Sequence, residues 1–229
     1  MTSILTTLDL IGLAWFIFLW VGYTWFAKRR ARKIVCLASV LRSKRDQWMA
    51  EMMTRDNRIA DVSIISALER NISFFASSSL LILAGLLTAL SSSDKLSQVI
   101  HQIVPSLPQS PEQIQIKVLL MIYIFVFAFF QFTWSLRQYG FAGVLVGAAP
   151  NGNKMEQDKL LQFANRAAKV IDQAGHSFNY GLRAIYLSLS TLAWFIDPRL
   201  FMATTVLVVL VLYHREFHSK VLKALRECD

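Results

Sequence analysis

Hydrophobic and polar positions along this chain fall into long blocks rather than short alternations. Residues 70 to 90, RNISFFASSSLLILAGLLTAL, hold no ionised side chain after Arg70. About twenty residues at 1.5 Å rise cover a hydrocarbon core of roughly 30 Å, so this block predicts a membrane-spanning helix. Comparable blocks run from Leu8 to Phe26, from Ile114 to Leu136 and from Leu182 to Tyr213. The last is too long for one ordinary span and is split by Asp197, Pro198 and Arg199. Proline disfavours helix in the residue before it and cannot donate a backbone bond, which predicts a helical hairpin there, a kinked single span being the alternative. The expected fold is all-α: a polytopic transmembrane helical bundle of about five spans, the last two a hairpin, forming one integral membrane domain over residues 1–229.

Three connecting regions have a different pattern. Residues 28–69 open on Lys28, Arg29, Arg30, Arg32 and Lys33 and continue with apolar positions at spacings of three, four or seven, which predicts an amphipathic cytoplasmic segment. It either lies on the anionic inner leaflet through Arg42, Lys44, Arg45 and Trp48 or packs against a protein partner. Residues 92–113 turn to Ser, Gln and Pro and predict an external loop. Residues 140–176 begin with GFAGVLVGAAPNGN, expected to form a compact interfacial bend, and continue as a second cytoplasmic helix over Lys154 to Gly175. The basic clusters set the orientation by the positive-inside rule: N-terminus outside, C-terminus cytoplasmic, in a bacterial inner membrane.

The faces of the spans supply candidate chemistry. At about 100° per residue, Ser73, Ser77, Ala84, Thr88 and Ser91 share one sector of the central helix, opposite its larger apolar residues. Such a stripe serves close helix packing or lines a hydrated path. In the third span Lys117, Gln131, Ser135 and Gln138 share a face, and Gln131 should meet protein or water because an amide is costly in lipid. Arg183, Ser190 and Asp197 repeat every seven residues on the next helix and are candidates for contact with a solute or ion.

Composition supports the membrane setting and narrows the chemistry. Of 229 residues, 55% are hydrophobic and 17% charged, outside the balance of a soluble domain. The net charge of +9 does not indicate nucleic acid, because the basic residues flank apolar runs and no reading motif accompanies them. Two cysteines cannot build a disulfide framework. The hydrolase elbow, the HExxH metal motif, the CxxC pair and the dinucleotide fingerprint do not occur, so no enzyme, metal or cofactor is expected.

Trp48, Met52, Arg55, Arg58, Ile59 and Asp61, followed by Leu68, Phe74, Phe75, Ala76, Ser77, Ser79 and Leu80, form a pattern that resembles the bacterial branch of the uncharacterised membrane family DUF599, domain of unknown function 599. NYGLRAIYLSLSTLAWFIDPRLFM and VLYHREF are similar to its closing segment, where a Gly often stands in place of Asp197. The resemblance implies a multi-pass membrane protein and brings no catalytic motif. Five short spans enclose little volume, so the sequence reading expects a homo-oligomeric pore or permease for a small solute or ion. The alternative is a non-catalytic membrane-anchored scaffold that binds lipid or a protein partner.

Overall fold

The computed structural model describes residues 5–31, 34–103, 109–150 and 156–227, and every regular element among them is a helix. The order is α1 (Thr7–Arg30), α2 (Leu37–Thr54), α3 (Ile59–Ser91), α4 (Ser93–Ile103), α5 (Pro111–Gly147), α6 (Gln157–Trp194), α7 (Pro198–Phe217) and α8 (Lys220–Glu227). Three of these begin at one end of the bundle with side-chain caps. Thr6 and Asp9 exchange bonds in a capping box at α1, Ser110 and Gln113 do so at α5, and the Asp197 carboxylate accepts the Arg199 amide at α7. Pro111 and Pro198 occupy first-turn positions, where the missing N–H removes no helical bond. We call this the capped end. Among the described residues, every Lys and Arg except Lys95, Lys117 and Arg199 belongs to the opposite half, the basic end.

Helices α1, α3, α5 and the segment Pro198–Leu225 that starts with α7 are long and apolar enough to cross a membrane. The chain is a membrane protein with four such helices among the described residues, where the sequence pattern predicts about five spans. The difference lies in α6, which runs the length of the bundle and is flanked by α5, α7 and α2. Sixteen of its 38 residues are buried, including Ala164, Ala167, Ala168, Ala174 and Ala184. The side of α6 that faces protein has no need to be greasy and is small and hydroxylated, while Leu189 and Leu192 stay exposed on the other side.

The hairpin is present: α6 ends at Trp194, residues 195–197 turn, and α7 packs back along it. At 20 residues α7 is about 30 Å long, enough for a hydrocarbon core without thinning. Three other boundaries fall elsewhere than the sequence pattern places them. The central helix begins at Ile59 rather than near Arg70, because no Gly or Pro interrupts residues 59–91 before Gly85. The bend expected at GFAGVLVG is helical to Gly147 as the last turns of α5, while residues 151–153 of that stretch lie outside the described residues. The predicted second cytoplasmic helix and the first arm of the hairpin are one helix, α6.

The core is aromatic. Trp194, Phe16, Phe132 and Phe201 are fully buried; Trp194 stacks on Phe201 at 5.0 Å between centroids, and Phe201 lies 5.3 Å from Phe16. Along α1, Phe16 stands between Asp9 at the capped end and Ala27 near the basic end. Rings therefore close the middle of the chain and leave polar groups at both ends.

Candidate functional site

At the basic end four helices bring charged side chains together. Asp172 of α6 accepts from Arg45 Nη1 at 2.8 Å and Arg42 Nη1 at 3.3 Å, both on α2, and lies 3.4 Å from His176 Nε2 one turn on. Arg42 also donates through Nε to Asp46 at 3.0 Å. Burial opposes ionisation of Asp172, yet the His176 hydrogen bond and the two arginines outweigh it and hold the carboxyl down at about 2. Farther along α6, Arg183 pairs with Glu216 of α7, and Tyr23 of α1 donates to the same carboxylate at 3.4 Å. The Arg183 guanidinium lies over the Tyr23 ring, 5.4 Å from its centroid, a cation–π arrangement that suits a partly desolvated arginine.

These groups surround a cavity of about 400 Å³ between α1, α2, α6 and α7. Lys28, Arg42, Arg183, Asn179 and Tyr180 are among its lining residues, while Asp172 and Glu216 are already engaged by arginines. Beside it is a cleft of about 170 Å³ walled by Leu37, Leu41, Leu182 and Leu212 together with Tyr186, Arg215 and the shared Arg183 and Glu216. Ala38, Asn179, Arg183 and Glu216 line both spaces, so the charged cavity and the leucine-bearing cleft are neighbours that share a wall.

A second knot at the basic end fastens α2, one wall of this site, to α3, and α3 to α5. Asp61 of α3 is fully buried and accepts from Trp48 Nε1 and Arg55 Nη1, each at 2.6 Å, through the same oxygen. Arg58 donates to the carbonyls of Ala149 at 2.5 Å and Pro150 at 2.9 Å, tying the start of α3 to the end of α5.

The residues singled out from sequence are divided among several settings. Arg42 and Arg183, read separately as a lipid surface and a solute contact, meet at the cavity. Arg45 and Trp48 turn into the bundle toward Asp172 and Asp61, and Lys44 is half-buried. Ser73 is half-buried, while Ser77 and Thr88 face outward on α3, with the Thr88 hydroxyl spent on the Ala84 carbonyl at 3.1 Å. Gln131 is half-buried; Ser135 is buried and donates to the Ala174 carbonyl at 2.7 Å. Ser190 is buried, donates to the Leu187 carbonyl at 2.7 Å and accepts from Thr205 at 3.2 Å. Asp197 stands at the capped end, far along α6 and α7 from Arg183.

Sequence reasoning missed Asp172 and Glu216 because their partners stand 130, 127 and 33 positions away. The one local signal was His176, one turn from Asp172.

The sequence profile of DUF599, a family described as proteins of unknown function, matches residues 11–221. No curated protein and no solved structure is similar enough to match the chain. The match takes in every helix that lines the basic-end cavity. By that coverage, and with the helical membrane architecture the resemblance implied, this chain belongs to the DUF599 family.

Proposed function

We propose that the protein is a non-catalytic membrane receptor for an anionic amphiphile, a lipid with a phosphate-type headgroup, held at its basic end. One observation carries this reading: the charged cavity shares a wall with a cleft that presents four leucines beside Arg183 and Arg215. A headgroup phosphate would meet Lys28, Arg42 and Arg183, and the first carbons of its chain would lie against Leu37, Leu41, Leu182 and Leu212. Charge-assisted bonds to guanidinium groups are strong, and the cleft adds the hydrophobic part that a free ion cannot use. The basic end faces the cytoplasm in this reading, where the positive-inside rule and anionic inner-leaflet lipids both favour it.

Binding of short-chain phosphatidylglycerol, phosphatidylcholine and inorganic phosphate to the purified protein tests the proposal. Phosphatidylglycerol should bind at least tenfold more tightly than either of the others. Lys28→Gln, at an exposed position, should weaken it severalfold without loss of fold. Equal affinity for phosphatidylcholine would overturn the reading, and inorganic phosphate binding as well as the lipid would reassign the cavity to a soluble anion.

A second reading, a pore between copies of the chain, is supported by the outward face of α3. Ser77, Gly85 and Thr88 are exposed there, and nothing lies within 4 Å of where a side chain on Gly85 would start. Small residues let two helices approach closely, and a ring of such faces would line an axis. Ser77→Leu with Thr88→Leu should abolish solute flux in vesicles if that axis conducts. Unchanged flux, or no flux in the parent protein, would remove this reading and leave the lipid receptor.

A further inference from the structure

The capped end has a site of its own, independent of the basic-end reading. A cavity of about 370 Å³ opens there between the starts of α1, α5 and α7, and Lys117 lines it. Lys117 is only 3% exposed. Its ammonium donates to Gln109 Oε1 at 2.7 Å and to the Trp194 carbonyl at 2.8 Å. An ammonium has three N–H donors, so one is left over. Among the described residues no carboxylate forms an ion pair with it.

Two acids line the same cavity and attract the ammonium, but neither bonds to it. Asp9, 4% exposed, is consumed by structure: one oxygen accepts Trp194 Nε1 at 2.8 Å, and the other accepts the Thr6 amide at 3.1 Å and hydroxyl at 2.6 Å. Asp197 caps α7 through the Arg199 amide at 2.6 Å. The Arg199 side chain also lines the space and has no partner among the described residues. With Asp9 and Asp197 balancing Lys117 and Arg199 in charge, what is left unmet is a buried N–H donor of Lys117, which a carboxylate oxygen in the cavity would take. Two helix N-termini, of α1 and α7, add their positive ends to the same side.

We infer that this cavity binds a small carboxylate-bearing solute, whose carboxylate takes the unspent N–H of Lys117 and reaches Arg199 at the mouth. A planar carboxylate suits the pair, because it can accept from the ammonium with one oxygen and from the guanidinium with the other. The volume exceeds a bare acetate and suits an acid of a few carbons. Asp197 at the rim adds a place for an ammonium group, so a zwitterion such as glycine or alanine should bind at least as well as the simple acid.

The test is thermal unfolding of the full-length protein in neutral-lipid nanodiscs, titrated with sodium acetate, propionate, glycine or alanine against sodium chloride at constant ionic strength. Saturable stabilisation by a carboxylate, at least tenfold stronger than by chloride, is expected. Arg199→Gln, which removes no contact seen in the fold, should weaken that apparent affinity severalfold at unchanged unfolding temperature of the free protein. Lys117→Met should abolish it. If Lys117→Met does not fold, Arg199→Gln and the chloride comparison decide alone. Stabilisation equal to that by chloride, or Arg199→Gln identical to the parent, would overturn the inference; neither result bears on lipid binding at the basic end.

Discussion

Phe132 shows how closely single residues are fitted here. Its ring lies within 5.7 Å, centroid to centroid, of Phe75 and Phe178, and it is fully buried. A methyl group on Gly181 would come within 2.6 Å of that ring, which has no room to withdraw. Gly181→Ala should therefore destabilise the fold by about 1–3 kcal/mol, the usual cost of overpacking, despite the better helix propensity of alanine. Denaturation of the two proteins in the same detergent measures it. Gly175→Ala meets the end of the Arg45 side chain instead of a ring, at 2.7 Å, and would strain that arginine's bond to Asp172.

Asp172 makes a pH prediction at the same scale. Its carboxyl is held down at about 2 against an ordinary 3.8, so its ionised form favours the folded state. That contribution is complete above the ordinary value and is lost as pH falls from there toward about 2. The groups facing it include Arg42 and Arg45 from α2, His176 from α6 and, farther off, Tyr139 from α5. Unfolding followed down the acid limb should show this loss, and Asp172→Asn should flatten it. None of this was visible in the sequence, since Asp172 reads there as one more solvated charge on an amphipathic helix. Asp9 and Lys117 were more legible as isolated charges in apolar blocks, but what they hold, Trp194 and Gln109, depends on packing across the bundle.

Among the elements, the α6–α7 corner was the most readable. Asp, Pro and Arg between two apolar runs announce a helix start by chemistry alone, and the turn forms there with Asp197 as cap. Asp197→Ala should cost about 1 kcal/mol and Asp197→Gly only a few tenths, because glycine leaves the amide accessible to water. Thermal unfolding of the two variants orders them. The other boundaries were misplaced for a shared reason: apolar periodicity marks where lipid begins, whereas helix continuity depends on unbroken backbone bonding. Helices α3, α5 and α6 each run well past the hydrocarbon limit, to 33, 37 and 38 residues, as no local residue stops them.

In the whole molecule the helices divide labour. Helices α1, α3 and α7 present Leu, Ile, Val and Phe outward, while α6 takes the interior position and carries Asp172, Arg183, Ser188, Ser190 and Thr191. The family and the helical membrane architecture could be read from sequence, because composition and block length respond directly to lipid. Neither end cavity could, because each is assembled from three or four helices far apart in the chain.

The polar interior helix constrains how this protein is made. One arginine at the centre of an inserting helix costs about 2.5–3.5 kcal/mol, whereas each leucine returns roughly 0.5 kcal/mol. Leu182, Leu187, Leu189 and Leu192 together return about 2 kcal/mol, and Arg183 toward the basic end with Ser188, Ser190 and Thr191 leaves α6 a weak candidate for insertion by itself. We expect it to enter with α7, whose Glu216 neutralises Arg183, as a pair against α5 already in place. A nascent chain ended after residue 197 should leave α6 outside the membrane, and one carried through Phe217 should bring both helices in, as a glycosylation-site reporter would record.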